Sequence, residues 1–231
     1  MIGEKLWISP SIFDPRPICW RCEWLKARGV KPRFSMAGTF QSLDRVQREA
    51  FSTHELVMSE VKTLPVKRDR KVCSTRIPNP HKIEAYIFGE IDELRLGDNG
   101  EYYLHDFKTS TLNDDDLQLY SGQQSCYMYA LLHPDRKAEP IEVRHSFLTV
   151  LSIDEGVIVP DSTEFLTKFH FRFVKLESSA ERGLELATEY IDFVAQKEPP
   201  PPLEDCVSCN YAKRRKRVMD ATKEAREKTT A

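Results

Sequence analysis

Gly89-Glu90-Ile91-Asp92, Asp98-Asn99-Gly100 and Asp106-Phe107-Lys108-Thr109 are the stretch on which the reading of this chain turns. Side chains alternate along a strand, so Tyr102, Leu104, Asp106 and Lys108 point one way and Tyr103, His105 and Phe107 the other. Asp98-Asn99-Gly100 suits a three-residue hairpin loop, a type I turn closed by glycine in the left-handed region. With that loop, facing residues have numbers that sum to 198. Asp92 then lies opposite Asp106, with Cβ atoms about 4.5 to 5.5 Å apart. Two carboxylates this close repel unless a hard divalent cation sits between them, as magnesium or manganese does in enzymes that cut phosphate esters.

Asp-x-Lys alone is weak evidence. Asp69-Arg70-Lys71 and Asp135-Arg136-Lys137 repeat it, and neither follows a hairpin. The Asp106 copy is set apart by an upstream aspartate in register, apolar alternating strands, and a following helix that carries Gln123 and Tyr127. The competing reading is an amphipathic hairpin whose charged face is simply solvated.

The chain has 231 residues, enough for a sizeable core in one decorated domain. A formal net charge of -2 supplies no overall attraction to nucleic acid, so any such binding needs a local basic patch. Lys213-Arg214-Arg215-Lys216-Arg217 is the candidate patch, and a solvated tail is the alternative. Met1 to Phe13 lacks a basic segment followed by an apolar stretch, and no run approaches the length of a membrane span. A soluble cytoplasmic protein is the expectation.

Local patterns place a short helix from Pro17 to Arg28, ended at Gly29, and a long helix from Thr39 to about Lys62, ended by Pro65. Lys67 to Lys71 reads as a charged connection and Cys73 to Ile77 as a short strand. A helix running to about Leu132 starts at Asp114-Asp115-Asp116, strands cover Val143 to Leu151 and Phe169 to Leu176, and an amphipathic helix spans Ala180 to Gln196. Pro199 to Pro202 forms a stiff spacer. The class is mixed α/β.

Six cysteines in a chain of this length do not form a disulfide framework. Cys19/Cys22 and Cys206/Cys209 are two Cys-x-x-Cys pairs near opposite ends, together a full set of four thiolates. Zinc and an iron-sulfur cluster both accept such a set, and sequence spacing does not choose between them. Cys73 and Cys126 read as ordinary buried thiols.

With acid, acid, lysine and the Gln123/Tyr127 helix in that order, the chain resembles the PD-(D/E)XK nuclease superfamily. The RecB-like branch is the nearest in pattern, and within it the CRISPR-associated RecB-like exonucleases. The resemblance covers nearly the whole chain, from Ser9-Pro10-Ser11 and Cys19-Trp20-Arg21-Cys22 to Cys206 through Tyr211. It implies a restriction-endonuclease-like core over residues 36–197, a mixed and mostly antiparallel sheet flanked by helices. Cysteine-bearing ends at 9–29 and 203–217 would clasp this one domain of residues 1–231.

By residue, the resemblance implies that Asp92 and Asp106 bind Mg²⁺ or Mn²⁺ together with the Phe107 carbonyl. Lys108 is the catalytic lysine, and Gln123 and Tyr127 complete the site. The family's early helix usually carries a metal-binding histidine a few residues after a glycine; after Gly38 this chain departs from that pattern, and Asp44 is the candidate for the role, with His54 as second candidate. Ile91 stands where a proline often precedes the first acid. The family's four-iron (4Fe-4S) cluster would sit on Cys19, Cys22, Cys206 and Cys209, with structural Zn²⁺ as the alternative, since this chain places its cysteines two and two.

The implied activity is metal-dependent DNA hydrolysis, as an exonuclease acting on single strands or free ends in repair, recombination or defence, with a helicase or nuclease complex as partner. A non-catalytic DNA-binding or scaffold subunit and a zinc-clasped interaction module are the alternatives.

Overall fold

The computed structural model describes residues 5–14, 19–30, 38–51, 53–109, 112–136, 138–158 and 165–229. Along the chain come β1 (Leu6–Ile8), α1 (Trp20–Lys26), α2 (Gly38–Phe51), β2 (Leu56–Met58), β3 (Val61–Cys73), β4 (Ala85–Gly97) and β5 (Tyr102–Thr109). They are followed by α3 (Asp114–Leu117), α4 (Ser121–Leu132), β6 (Val143–Ile158), β7 (Phe165–Leu176), α5 (Ala180–Ala195) and α6 (Val207–Thr229). Short 3₁₀ turns lie at Pro10–Phe13 and Gln118–Tyr120.

The strands form one seven-stranded sheet in the order β2-β3-β4-β5-β6-β7, with β1 added in parallel to β4. Neighbours are otherwise antiparallel except β5 and β6, whose parallel pairing needs a crossover that α3 and α4 supply. The central hairpin has the register that the alternation predicts. Leu96/Tyr102, Arg95/Tyr103, Leu94/Leu104 and Glu93/His105 are paired, and Gly100 has φ +78°. Only glycine enters that region at no steric cost, which fixes the loop length and with it the register.

Both faces of the sheet are covered, so the solvated-hairpin reading fails. On one side Leu104, Ile87 and Ile8 share a cluster with Tyr127 and Leu131 of α4 and Ala187 and Ile191 of α5. On the other, Tyr103 and Phe147 pack with Met58 and Phe51. This second side also holds a buried polar network. Arg95, Glu93 and His105 are fully buried; Arg95 and His105 both contact Glu93, and Arg95 also donates to Thr63 and to the His54 carbonyl. Burial disfavours the Glu93 carboxylate, but His105 and Arg95 outweigh it and hold its pKa below the usual value. Gln47 of α2 donates to the Thr149 carbonyl beside this network, so α2 is docked by polar contacts as well as by Phe51.

Several expected elements are corrected. The long helix stops at Phe51 instead of continuing to Lys62. Leu56–Met58 and Val61–Thr63 form a hairpin around Ser59 and Glu60, both at positive φ, a two-residue turn without its usual glycine. Pro65 does not end a helix, and Lys67 to Lys71 is not a connection: both belong to β3, whose register on β4 shifts between Pro65 and Lys67. That irregularity absorbs the residue without a backbone donor. The helix expected from Asp114 divides into α3, a 3₁₀ turn and α4, with the Asn113 side chain accepting from Asp116 N–H. Strands β6 and β7 extend beyond their expected limits.

The amino-terminal cysteine segment docks on α5. Trp24 Nε1 donates to the Gln196 carbonyl at 3.0 Å, and the Arg28 guanidinium lies 3.4 Å from the Trp24 ring centroid while donating to the Val194 and Gln196 carbonyls. Trp20 packs edge-on against Phe193.

Candidate active site and cysteine centre

Past Glu93/His105 the two central strands part, and a side chain takes over from the ladder. The Phe107 N–H donates to Asp92 Oδ2 at 2.9 Å, while Asp92 Oδ1 lies 2.8 Å from Arg48 Nη2 of α2. Asp106 is 4 % exposed, and its Oδ2 is 2.7 Å from Lys108 Nζ. That contact is an ion pair without hydrogen-bond alignment. Lys108 also sits 5.1 Å from the Tyr120 ring centroid, and Asp14, after the 3₁₀ turn at Pro10–Phe13, adds negative charge beside it.

Electrostatics follow from this crowding. Burial, then the neighbouring charge of Asp106, pushes Asp92 up from 3.8 to about 8, although Arg48, the Phe107 N–H and Lys108 oppose the shift. Burial alone would lower the Lys108 pKa, but Asp106, Asp14 and Asp92 outweigh it and hold the amine protonated well above its usual range. A buried carboxylate pair that strains against double ionisation is a suitable donor set for a divalent cation, which removes the repulsion.

Helix α4 closes the site. The Tyr127 hydroxyl donates to the Glu90 carbonyl at 2.9 Å, and its pKa is raised by burial, then by Asp106 and Asp92. Gly89 makes this approach possible: a Cβ there would stand 2.9 Å from the Tyr127 ring. Gln123, one turn earlier, is 5 % exposed and leaves its Oε1 buried without a partner. An orphaned acceptor costs about 1 to 3 kcal/mol, which a bound water or substrate hydroxyl would recover.

The sequence thus pointed to Asp92, Asp106, Lys108, Gln123 and Tyr127, and these converge. Arg48 and Asp14 were missed. Arg48 sits one turn after Asp44 on α2, the helix already singled out, and that was the available signal; the side chain of Asp44 itself lies outside the described residues. His54 is exposed, its ring meets Thr53, and it reaches the interior only through its backbone carbonyl. Glu90 is exposed on β4.

The Asp92 shift carries a stability prediction. Its folded pKa of about 8 exceeds the ordinary 3.8, so its contribution is fully present below the ordinary value and lost as pH rises through about 8. In chelator, the unfolding midpoint of the native protein should therefore fall as pH rises from about 5 to about 9, and Asp92→Asn should remove most of that fall. Parallel pH profiles for the two proteins would refute the assignment.

Cys19, Cys22, Cys206 and Cys209 converge at a second centre, all four Sγ atoms within 4.8 Å of one another. They are the only group of three or more candidate metal ligands at such spacing among the described residues. Each pair sits at the start of a helix, Cys19 and Cys22 at α1 and Cys206 and Cys209 at α6, where the dipole favours thiolate. Burial raises the Cys19 pKa, but the N–H groups of Leu203 and Cys22 and the Cys206 and Cys209 thiols bring it down to about 7. Burial, and then the other thiols, push Cys22 well up. Cys126 is buried with its Sγ 3.8 Å from the Gly183 carbonyl, and Cys73 contacts Ser74; neither joins the centre. Lys213, Arg215, Lys216 and Arg217 are exposed on α6.

Among curated proteins none matches the chain significantly. A solved structure titled "Crystal structure of SSO0001" aligns over 86 % of this chain and 81 % of that one, at 13 % identity and a TM-score of 0.46. The family model that matches residues 5–214 is that of the PD-(D/E)XK nuclease superfamily, and it spans the acid hairpin, α4 and both cysteine pairs. The chain belongs to the PD-(D/E)XK nuclease superfamily.

Proposed function

We propose that the protein is a Mg²⁺- or Mn²⁺-dependent deoxyribonuclease of the RecB-like branch, acting as an exonuclease on single strands or free ends. Superfamily membership supports metal-dependent phosphodiester cleavage. The observation that carries the reading further is the convergence of Asp92, Asp106 and Lys108 where β4 and β5 part, backed by the Tyr127/Gln123 face of α4.

Asp92, Asp106 and the Phe107 carbonyl would hold the ion, which supplies Lewis acidity toward the phosphate and lowers the pKa of water. Asp92 is already held in place by the Phe107 N–H. Lys108 keeps its proton, so it acts as a fixed positive charge that orients the attacking water and offsets charge developing on the phosphate. Gln123 offers a free buried acceptor to the same water. Arg48 balances Asp92 without metal, and once the ion takes that role the guanidinium can turn to a phosphate oxygen.

The exposed cations of α6 suit a nucleic-acid backbone, and no described helix is long and apolar enough to cross a membrane. Neutralising Lys213, Arg215, Lys216 and Arg217 should weaken DNA binding for every sequence and flatten its salt dependence by up to about 0.9 for each phosphate no longer neutralised. Fluorescence anisotropy at several salt concentrations checks this.

The deciding assay uses end-labelled single- and double-stranded DNA, with RNA beside it, in Mg²⁺, Mn²⁺ or chelator. Cleavage from ends in the presence of either ion is expected. Binding without cleavage of any strand form would replace the enzyme by a DNA-binding subunit.

A further inference from the structure

The resemblance implies an iron-sulfur cluster at the cysteine centre, and the sulfur positions do not fit one. Cys19 Sγ lies 3.7 Å from Cys209, and Cys22 Sγ lies 3.5 Å from Cys206 and 3.6 Å from Cys209. Four thiolates on one ion at about 2.3 Å form a tetrahedron whose edge is about 1.63 times that bond, or about 3.8 Å. The observed separations are close to that edge. No pair exceeds 4.8 Å.

In a four-iron cubane each cysteine binds a different iron, and the thiolates point outward from alternate corners. The sulfurs then occupy a much larger tetrahedron, so no two of them touch. In a two-iron cluster two thiolates share each iron, so close contacts occur within each pair and not between pairs. Here the contacts run Cys19–Cys209–Cys22–Cys206 as an unbroken chain. Every division of the four into two pairs cuts at least one of these contacts, so no assignment to two irons is consistent.

We infer that Cys19, Cys22, Cys206 and Cys209 bind one mononuclear tetrahedral zinc ion, and that this chain departs from the iron-sulfur pattern its resemblance implies. Zinc binds such donors more tightly than ferrous iron does and has no redox chemistry. Four thiolates around one Zn²⁺ leave a net charge of -2. Arg21, Lys213 and Lys216 line the same cavity as Cys22 and Cys209, with Glu204 as its one acid, so the surroundings are net positive. The Cys209 N–H points to Cys206 Sγ at 3.5 Å. The inference is independent of the nuclease reading: the centre serves as a redox-inert clasp whether or not the protein cuts DNA.

The test is the metal content of full-length protein grown with both iron and zinc and purified without oxygen, so that a labile cluster would survive. The expected result is a colourless protein with one zinc per chain, no acid-labile sulfide, and metal–sulfur distances of about 2.3 Å by zinc X-ray absorption. A brown protein with iron and sulfide in equal amounts overturns the inference, as does iron without sulfide, or a folded protein with four free thiols and no metal. Cys209→His separates the cases further. A Cys₃His set is an ordinary structural zinc site, so this variant should retain zinc, whereas Cys209→Ala should lose it. Equal zinc loss in both would refute the single-ion geometry.

Discussion

Asp106→Asn, Asp92→Asn and Lys108→Ala should each reduce DNA cleavage by at least about 100-fold, while the protein stays folded and still binds DNA. Asp106 and Asp92 are the only side chains of the proposed donor set, so losing either leaves one carboxylate to hold the ion. Lys108→Ala removes a partly buried cation that the proposed mechanism places beside the reacting phosphate, and leaves Asp106 without its 2.7 Å partner. Binding should move the other way for the acids. Above about pH 8, where Asp92 is ionised as well, removing either acid takes away a negative charge beside the phosphates and should preserve or raise affinity without metal. The three single-turnover rates, measured with saturating Mn²⁺ and compared with anisotropy in chelator, check both halves. An Asp106→Asn protein that still cuts at a tenth of the native rate would move the active site elsewhere.

The central hairpin was legible because its information is local. Asp98-Asn99-Gly100 sets the loop, Gly100 carries the positive φ, and the alternation of Tyr102 to Lys108 sets the faces. Helix α5 was legible for the same reason, with Ser179 capping Arg182 N–H before a strongly amphipathic run. Where pattern and tertiary structure disagree, the sequence misled. Leu56, Val57 and Met58 continue an apolar spacing compatible with α2, and Ser59-Glu60 makes a tight turn without glycine, so nothing local marks the change from helix to hairpin. The charges of β3 suggest a loop, yet β4 fixes that segment as a strand.

Glu93 and Arg95 look like a solvated strand face until His105 and Thr63 arrive from neighbouring strands to bury them. The site follows the same division. Asp92, Asp106 and Lys108 belong to one hairpin and could be paired by counting. Arg48 joins Asp92 only because α2 is docked by Gln47 and Phe51, and Asp14 joins Lys108 only because the amino-terminal segment folds back over α4. No spacing rule carries such contacts. Sulfur-to-sulfur distances are likewise absent from Cys-x-x-Cys spacing, so that spacing alone does not choose between one ion and a cluster.

Loss of one cysteine ligand should release α6 and leave the sheet folded, because the thiolates hold that helix to the rest of the chain. Cys19, Cys22, Cys206 and Cys209 form a cluster of their own, apart from the main core. Among the described residues the other ties are sparse: Arg21 Nη1 donates to the Pro200 carbonyl at 3.3 Å, while the Asn210 and Cys206 bonds to Glu204 and Leu203 lie within the same segment. Helix α1 does not depend on the metal in the same way, since Trp24 and Arg28 anchor it to α5. Structural zinc binding is worth about 10 to 16 kcal/mol in small peptides, and with the proposed zinc bound that energy would go into local order here.

In Cys22→Ser, hydrogen exchange along 203–229 should therefore rise by several orders of magnitude, and protease should cut near Pro202 while β4 and β5 stay protected. Cys73→Ser, whose thiol meets the Ser74 carbonyl away from the centre, is the matched control and should change neither. DNA affinity of Cys22→Ser should fall as it does when the basic residues are neutralised, since the undocked helix no longer presents its cations beside the core. Its cleavage rate at saturating DNA should stay near native, because no cysteine touches Asp92, Asp106 or Lys108. If hydrogen exchange in Cys22→Ser instead rises uniformly across β4, β5 and α4, the cysteine centre is part of the global folding unit and not a clasp on its last helix.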